Sequence, residues 1–150
     1  MTALHVVFRV GQGEYVESAS DVVQMESYAG AVRVPGTLPY VAGLVQVRGR
    51  VIPVVDLRAR FGLEAIEPTL DSRIVVVRRQ DREVGLVADV AREMARLSPE
   101  QFHAPPEMVS QQSRGFVDAV AQMGERVLMR LDTDKVIGSG ELPTEAGNGA

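Results

Sequence analysis

PGTLPYVAGLVQVRGRVIPVVDLRARFGL, residues 35–63, is the stretch that decides the fold. Val41, Leu44, Val45 and Val47 form one apolar run, and Val51, Ile52, Val54 and Val55 form a second. Arg48-Gly49-Arg50 separates them, so the pattern predicts two short strands joined by a tight turn with cations at its tip. Pro53 lies inside the second run. It lacks an N–H for a sheet ladder, which predicts an edge strand or one that begins after it. Asp56 can cap a one-turn helix over residues 57–61, and Gly62 supplies a left-handed stop. Gly43 reads as a bulge or as a point of close backbone approach.

Residues 4–10 (LHVVFRV) read as a strand, with a glycine turn at 11–13 and a second strand over 14–19. The turn lacks the third glycine of a phosphate loop, since Val16 stands at that place. Residues 20–28 are too short for their period to separate strand from helical turn. Residues 31–34 read as a short strand. Residues 73–79 (RIVVVRR) and 83–89 predict a hairpin, in which Gly85 marks a bulge or close approach, and apolar positions continue through Val90, Met94 and Leu97. Ser98-Pro99-Glu100-Gln101 carries a reciprocal capping signature for a short helix. Residues 107–114 read as a polar loop, 116–121 and 126–131 as a last hairpin, and 132–137 as a short helix. Beyond 138 the composition shifts to Gly, Ser, Glu, Pro and Ala, which predicts a flexible tail over 138–150.

Many short strands with Gly/Pro turns predict a mainly β fold of small barrels. Valine supplies 25 of the 150 residues, and its branched Cβ suits a pleated surface. The net charge of −4 and 5% aromatic content argue against a nucleic-acid module, which needs a basic stripe and stacking rings. The absence of cysteine removes disulfides and thiolate metal sites and fits a reducing compartment. No apolar run reaches membrane-helix length. His5 and His103 have no ligand partner at metal spacing, no Ser sits in a G-x-S-x-G context, and Asp132-Thr133-Asp134 lacks the rest of a calcium loop. No catalytic residue, metal or cofactor is expected. Surface recognition remains, and Arg48 is the side chain to single out: its fork of donors suits a carboxylate or carbonyl on a partner, although a solvated turn arginine would look the same.

The run G-L-V-Q-V-R-G-x-V-I-P-V-V-D-L-R-x-R-F-G resembles the CheW-type chemotaxis coupling proteins, with Gly43, Arg48, Gly49, Pro53, Asp56, Leu57 and Arg58 in register. The resemblance extends from Phe8 to about Ile137 and takes in Tyr15, residues 39–41, 85–89, 105–106 and 128–135. It implies two SH3-like five-stranded barrels sharing a hydrophobic core, in a domain over 1–137. The implied division is roughly 14–72 against 4–10 plus 73–137. It also implies a cytoplasmic, non-enzymatic adaptor that joins the signalling tip of chemoreceptors to the regulatory domain of a CheA-type histidine kinase, meeting the membrane only through receptors. On this resemblance Val22, Arg48, Gly49 and Ala91 are expected at the receptor surface, and Gln24, Met25, Val41 and Gly43 at the kinase surface. Several positions depart from the family pattern. Glu17, Ala19 and Arg130 stand where apolar residues are usual, Gln24 where an acid is, Gln46-Val47 where Asn-Leu is, Ala91 where valine is, and Ala119 where glycine is. A buried Glu17 or Arg130 would be costly unless paired. The change at 24 raises the alternative of a paralogue that binds receptor but not kinase.

Overall fold

The computed structural model describes residues 1–138. The expected tail over 138–150 therefore lies, apart from Gly138, outside the described residues. Eleven strands form two sheets. One contains β1 (Ala3–Val10), β2 (Gly13–Ser18), β8 (Val90–Leu97), β9 (Phe102–His103), β10 (Val117–Met123) and β11 (Arg126–Leu131), in the order β8-β1-β2-β11-β10-β9. The other contains β3 (Val22–Ser27), β4 (Val41–Val47), β5 (Arg50–Asp56), β6 (Arg73–Arg79) and β7 (Arg82–Ala88), in the order β3-β6-β7-β5-β4. Three short α-helices, α1 (Leu57–Arg60), α2 (Glu107–Gln112) and α3 (Thr133–Ile137), and two 3-10 turns, Ala19–Asp21 and Pro99–Gln101, complete the described chain, the second turn carrying the predicted capping box at Ser98 and Gln101. None is long and apolar enough to cross a membrane. The mainly β architecture in two small halves is the one the sequence predicts.

The implied division of the halves needs correction. β2 pairs with β1 and β11, while β6 and β7 complete the sheet of the central hairpin. One half is thus built from residues before 19 and after 89, and the other from the strands between 22 and 88. Hairpin neighbours pair with each other more readily than with distant strands, so β1–β2 and β6–β7 each stay together.

The continuous apolar runs follow from the strand period of two. On β1, Val6, Phe8 and Val10 face a core shared by both sheets, while Val7 faces a core within its own. On β6, Val75 and Val77 enter the shared core, and Ile74 and Val76 fill the interior of their own half with Val47 and Ile52. Both faces of these strands are covered, which is why HVVFRV and RIVVVRR do not alternate with polar residues. Each Val or Leu so buried contributes about 1.5–3 kcal/mol.

The central hairpin forms as predicted. Its turn is Arg48-Gly49, at φ 48° and 82°, the double left-handed conformation that matches strand twist in a two-residue loop. Pro53, however, is not on an edge: β5 lies between β4 and β7. The flanking pair Val47–Arg50 sets the alternation, and Leu44–Pro53 falls at a pair where no N–H is needed toward β4. On the other side the parallel ladder with β7 begins only at Val54. Residues 31–34 make a single bridge, Val32 to Leu44, instead of a strand. Residues 107–114, expected as a loop, contain α2, whose few apolar side chains leave no period to read.

Two arginines of the D-L-R-x-R-F segment join the halves. Asp56 accepts the Arg58 amide at 3.0 Å and caps α1. At the other end Gly62 takes φ 75°, with Gly62 and Leu63 amides donating to Ala59 and Arg58 carbonyls at 3.2 and 2.8 Å. Arg58 donates to both oxygens of Asp89 at 2.9 and 2.8 Å, and Asp89 also accepts the Gly11 amide at 2.8 Å. Burial opposes ionisation of Asp89, but Arg58 and the Gly11 amide outweigh it and hold the carboxyl below its ordinary range. Arg60 lies 3.9 Å over the Tyr40 ring and 4.6 Å over Phe116, and donates to the Val136 and Lys135 carbonyls of α3 at 2.8 and 2.9 Å. Asp89→Ala removes the acceptor for Arg58 and Gly11 together. It is expected to cost about 2 kcal/mol in urea unfolding; an unchanged midpoint would show that the halves are held by apolar packing alone.

Candidate functional site

The exposed features predicted to meet partners gather at one end of the five-stranded half. Arg48 sits at the hairpin tip with its side chain 75% exposed, and its Nε donates to Glu26 Oε2 at 3.2 Å. The terminal Nη groups have no acceptor among the described residues, so the fork remains available. Glu26 also accepts from Gln24 Nε2 at 2.8 Å. The Gln24 bond, and next the Arg48 bond, lower the Glu26 carboxyl below its ordinary range. Gln24 accepts from Arg50 Nη2 at 2.6 Å, Arg50 pairs with Glu83 at 2.6 Å, and Glu83 pairs with Arg78 at 2.6 Å. Two strands separate β3 from β5 in the sheet order, so the Gln24–Arg50 contact shows the sheet curled back toward itself.

β3 carries the apolar part of this surface. Its burial alternates strictly, with Val23, Met25 and Ser27 outward. Met25 is 38% exposed and Val23 is 39% exposed. Between β3 and β4 lies an open cleft of about 550 Å³ lined by Ser27, residues 29–32 and Gln46 to Arg48, with Ile74 beneath. Glu26, Ser27 and Arg48 border the cleft, and Val23 and Met25 lie on the outward face of the same strand.

Four of the expected contact residues do not present themselves as the resemblance implies. Val22 packs against the shared core and does not share the outward row with Met25. Val41 and Ala91 are core residues at 6% and 5% exposure. Gly43 is buried, and its place is taken up by this chain's own backbone: a Cβ there would lie 2.0 Å from the Val32 carbonyl oxygen. The first three are drawn to the core, and Gly43 lets the 31–34 segment lie against β4. Arg48, Gly49, Gln24 and Met25 reach the surface or its hydrogen-bond network.

Sequence reading missed Glu26, Glu83 and Val23 as members of this surface, and gave Arg50 only as a cation of the hairpin tip. The strict i, i+2 alternation of β3 could have found Val23 and Glu26. The Arg50 link joins residues 26 positions apart and had no local signal.

The departures elsewhere resolve separately. Arg130 is half exposed, pairs with Asp118 at 2.7 Å and lies 4.8 Å over the Phe102 ring. Glu17 is buried at 4% exposure with one hydrogen bond, from Thr133 Oγ1 at 2.6 Å. His5 Nδ1 meets the Ala3 carbonyl at 3.1 Å, its ring lies 5.4 Å from Phe102, and it pairs with no carboxylate among the described residues. Among the described residues no group of three His, Asp or Glu side chains is placed to hold a metal ion.

A rigid β scaffold that presents a guanidinium, an apolar row and a cleft defines a small recognition domain. A CheW-like domain model matches residues 4–141, and the chain belongs to that family. It is similar to a chemotaxis protein CheW of Bacillus subtilis, 32% identical over 132 residues, which are 88% of this chain and 85% of that protein. It is also similar to a chemotaxis protein CheW of Rhizobium meliloti, 31% identical over 136 residues, 91% of this chain and 88% of that one. Among solved structures, the scaffolding protein TtCheW of Thermoanaerobacter tengcongensis matches with a TM-score of 0.85 at 25% identity, covering 95% of this chain and all of that one.

Proposed function

We propose that this protein is a cytoplasmic adaptor that couples the signalling tip of chemoreceptors to the regulatory domain of a CheA-type histidine kinase, without chemistry of its own. Membership of the CheW-like family supports the class. The observation that carries it to a site is Arg48, held outward on a two-residue turn with an open donor fork. A helical receptor tip offers carboxylates and carbonyls to that fork, and its apolar face suits Val23 and Met25. A kinase regulatory domain is the second partner, on the surface that includes Gln24.

Gln24 favours one variant of this reading. It spends its amide on Arg50 and Glu26, and so offers no acidic group outward where the family pattern has one. A paralogue that engages receptor and not kinase has this arrangement as its basis.

The test is a pair of titrations, against a receptor signalling-tip fragment and against the isolated kinase domain. Binding to both supports the coupling role, and binding to receptor alone selects the paralogue. If neither binds at tens of micromolar, the adaptor reading fails. Arg48→Ala is expected to weaken receptor binding about tenfold. Its thermal midpoint stays nearly unchanged, because alanine bears the same left-handed cost as arginine and only an exposed ion pair is lost. An unfolded variant would make Arg48 structural.

A further inference from the structure

A second cavity lies away from this surface, where α1 meets α2 and the β2–β11 pair. It has a volume of about 320 Å³. Three rings make its wall: Tyr15 and Phe61 have centroids 5.1 Å apart, and Phe61 and Phe116 5.9 Å apart. Met129 closes another side. Two guanidinium groups line it, those of Arg60 and Arg114. Neither pairs with a carboxylate among the described residues. Arg60 gives its Nε and Nη2 to carbonyls of α3 and keeps Nη1. The side chain of Arg114 makes no hydrogen bond among the described residues.

The backbone at Arg114 points the same way. α2 ends as α1 does: the amides of Arg114 and Gly115 donate to the Gln111 and Ser110 carbonyls at 3.2 and 3.0 Å. This is the two-bond helix stop in which the first residue past the cap is left-handed. In α1 that place holds Gly62, at no cost. In α2 it holds Arg114, at φ 55°, although glycine follows at once at 115. An L side chain in that conformation is strained. Departures from local preference of this kind concentrate where a side chain is needed. What the strain secures is a cation at the rim of an aromatic cavity.

We propose that this cavity binds a small amphipathic carboxylate, with its apolar body against Tyr15, Phe61, Phe116 and Met129 and its charge met by Arg114 and the Nη1 of Arg60. An apolar pocket with few convergent polar groups is the usual form of such a site. Two unpaired guanidinium groups select an anion over a neutral ligand. The cavity volume sits at the small end of the ligand range, which suits a single ring with a short acidic arm. The cavity shares no residue with the surface proposed for receptor and kinase.

Phenylpropionate is a suitable probe and phenylpropionamide its neutral counterpart. NMR titration of the full chain should give saturable shifts of the Tyr15, Phe61 and Phe116 ring protons at roughly millimolar acid, as expected for so small a ligand. The amide should bind about tenfold more weakly. Arg114→Gly is the decisive variant, because it relieves the backbone strain while removing the cation. Its thermal midpoint should be unchanged or higher, and its affinity for the acid about tenfold lower. Absence of saturable shifts, equal binding of acid and amide, or full binding by Arg114→Gly would each overturn the proposal. A lowered midpoint in that variant would overturn the strain argument on which it stands.

Discussion

Gly43→Ala is expected to destabilise the fold by about 4 kcal/mol, more than any other single methyl added to this surface. Two costs combine. Gly43 lies at φ 140°, a conformation that side chains rarely adopt. The added Cβ would also stand 2.0 Å from the Val32 carbonyl oxygen and 2.7 Å from its carbon. Both are backbone atoms, so no rotamer change relieves the overlap. The reciprocal bonds between Val32 and Leu44, at 2.9 and 2.8 Å, must break for the segment to move off β4. Urea unfolding measures the loss. Gly49→Ala provides the control: nothing lies within 4 Å of its Cβ position, and its φ of 82° leaves a cost of about 1 kcal/mol. If Gly43→Ala kept full stability and lost only kinase binding, the glycine would be a contact residue after all.

Glu17→Gln should act in the opposite direction, and only above acid pH. Burial drives the Glu17 carboxyl up from 4.5 to about 7, with Asp21 and Asp118 adding to the effect; the Thr133 hydroxyl and Arg79 oppose it. Arg79 is itself held by Asp21 and Asp134 at 3.3 and 3.0 Å, and does not neutralise the site. The folded value is raised above the unfolded one. The associated stability is therefore complete below pH 4.5 and is lost as pH rises through about 7. That gap corresponds to roughly 3 kcal/mol. Glutamine keeps an oxygen to accept from Thr133 and carries no charge. The variant should match the wild type near pH 4.5 and exceed it by roughly 3 kcal/mol at pH 8. Urea unfolding of both proteins at the two pH values checks it. A difference that stays constant with pH would mean that Glu17 is not the titrating group.

Both positions bear on how this protein would work. Glu17 ties β2 to the first turn of α3, and Gly43 lets the segment beside the cleft lie flat on β4. Each sits under the surface instead of on it. Partner-binding defects at such positions should be read against stability before any contact is assigned.

The central hairpin, the long apolar strands and the helix caps were readable in the residues alone, since each rests on neighbours a few positions away; β3, the 31–34 bridge and α2 were not. The Arg48-Gly49 turn, the Asp56 cap, the Gly62 stop and the two-sided apolar runs are all of this kind. The mainly β class and the outward arginine followed from them. Tertiary contact decided the rest: that Glu17 meets Thr133 across 116 positions, that Arg50 reaches Gln24, and that the void at Gly43 is filled by Val32. It also decided that Val41 and Ala91 belong to the core. A periodic pattern says which face of a strand is apolar, but the element covering that face comes from a distant part of the chain, and no local preference encodes it.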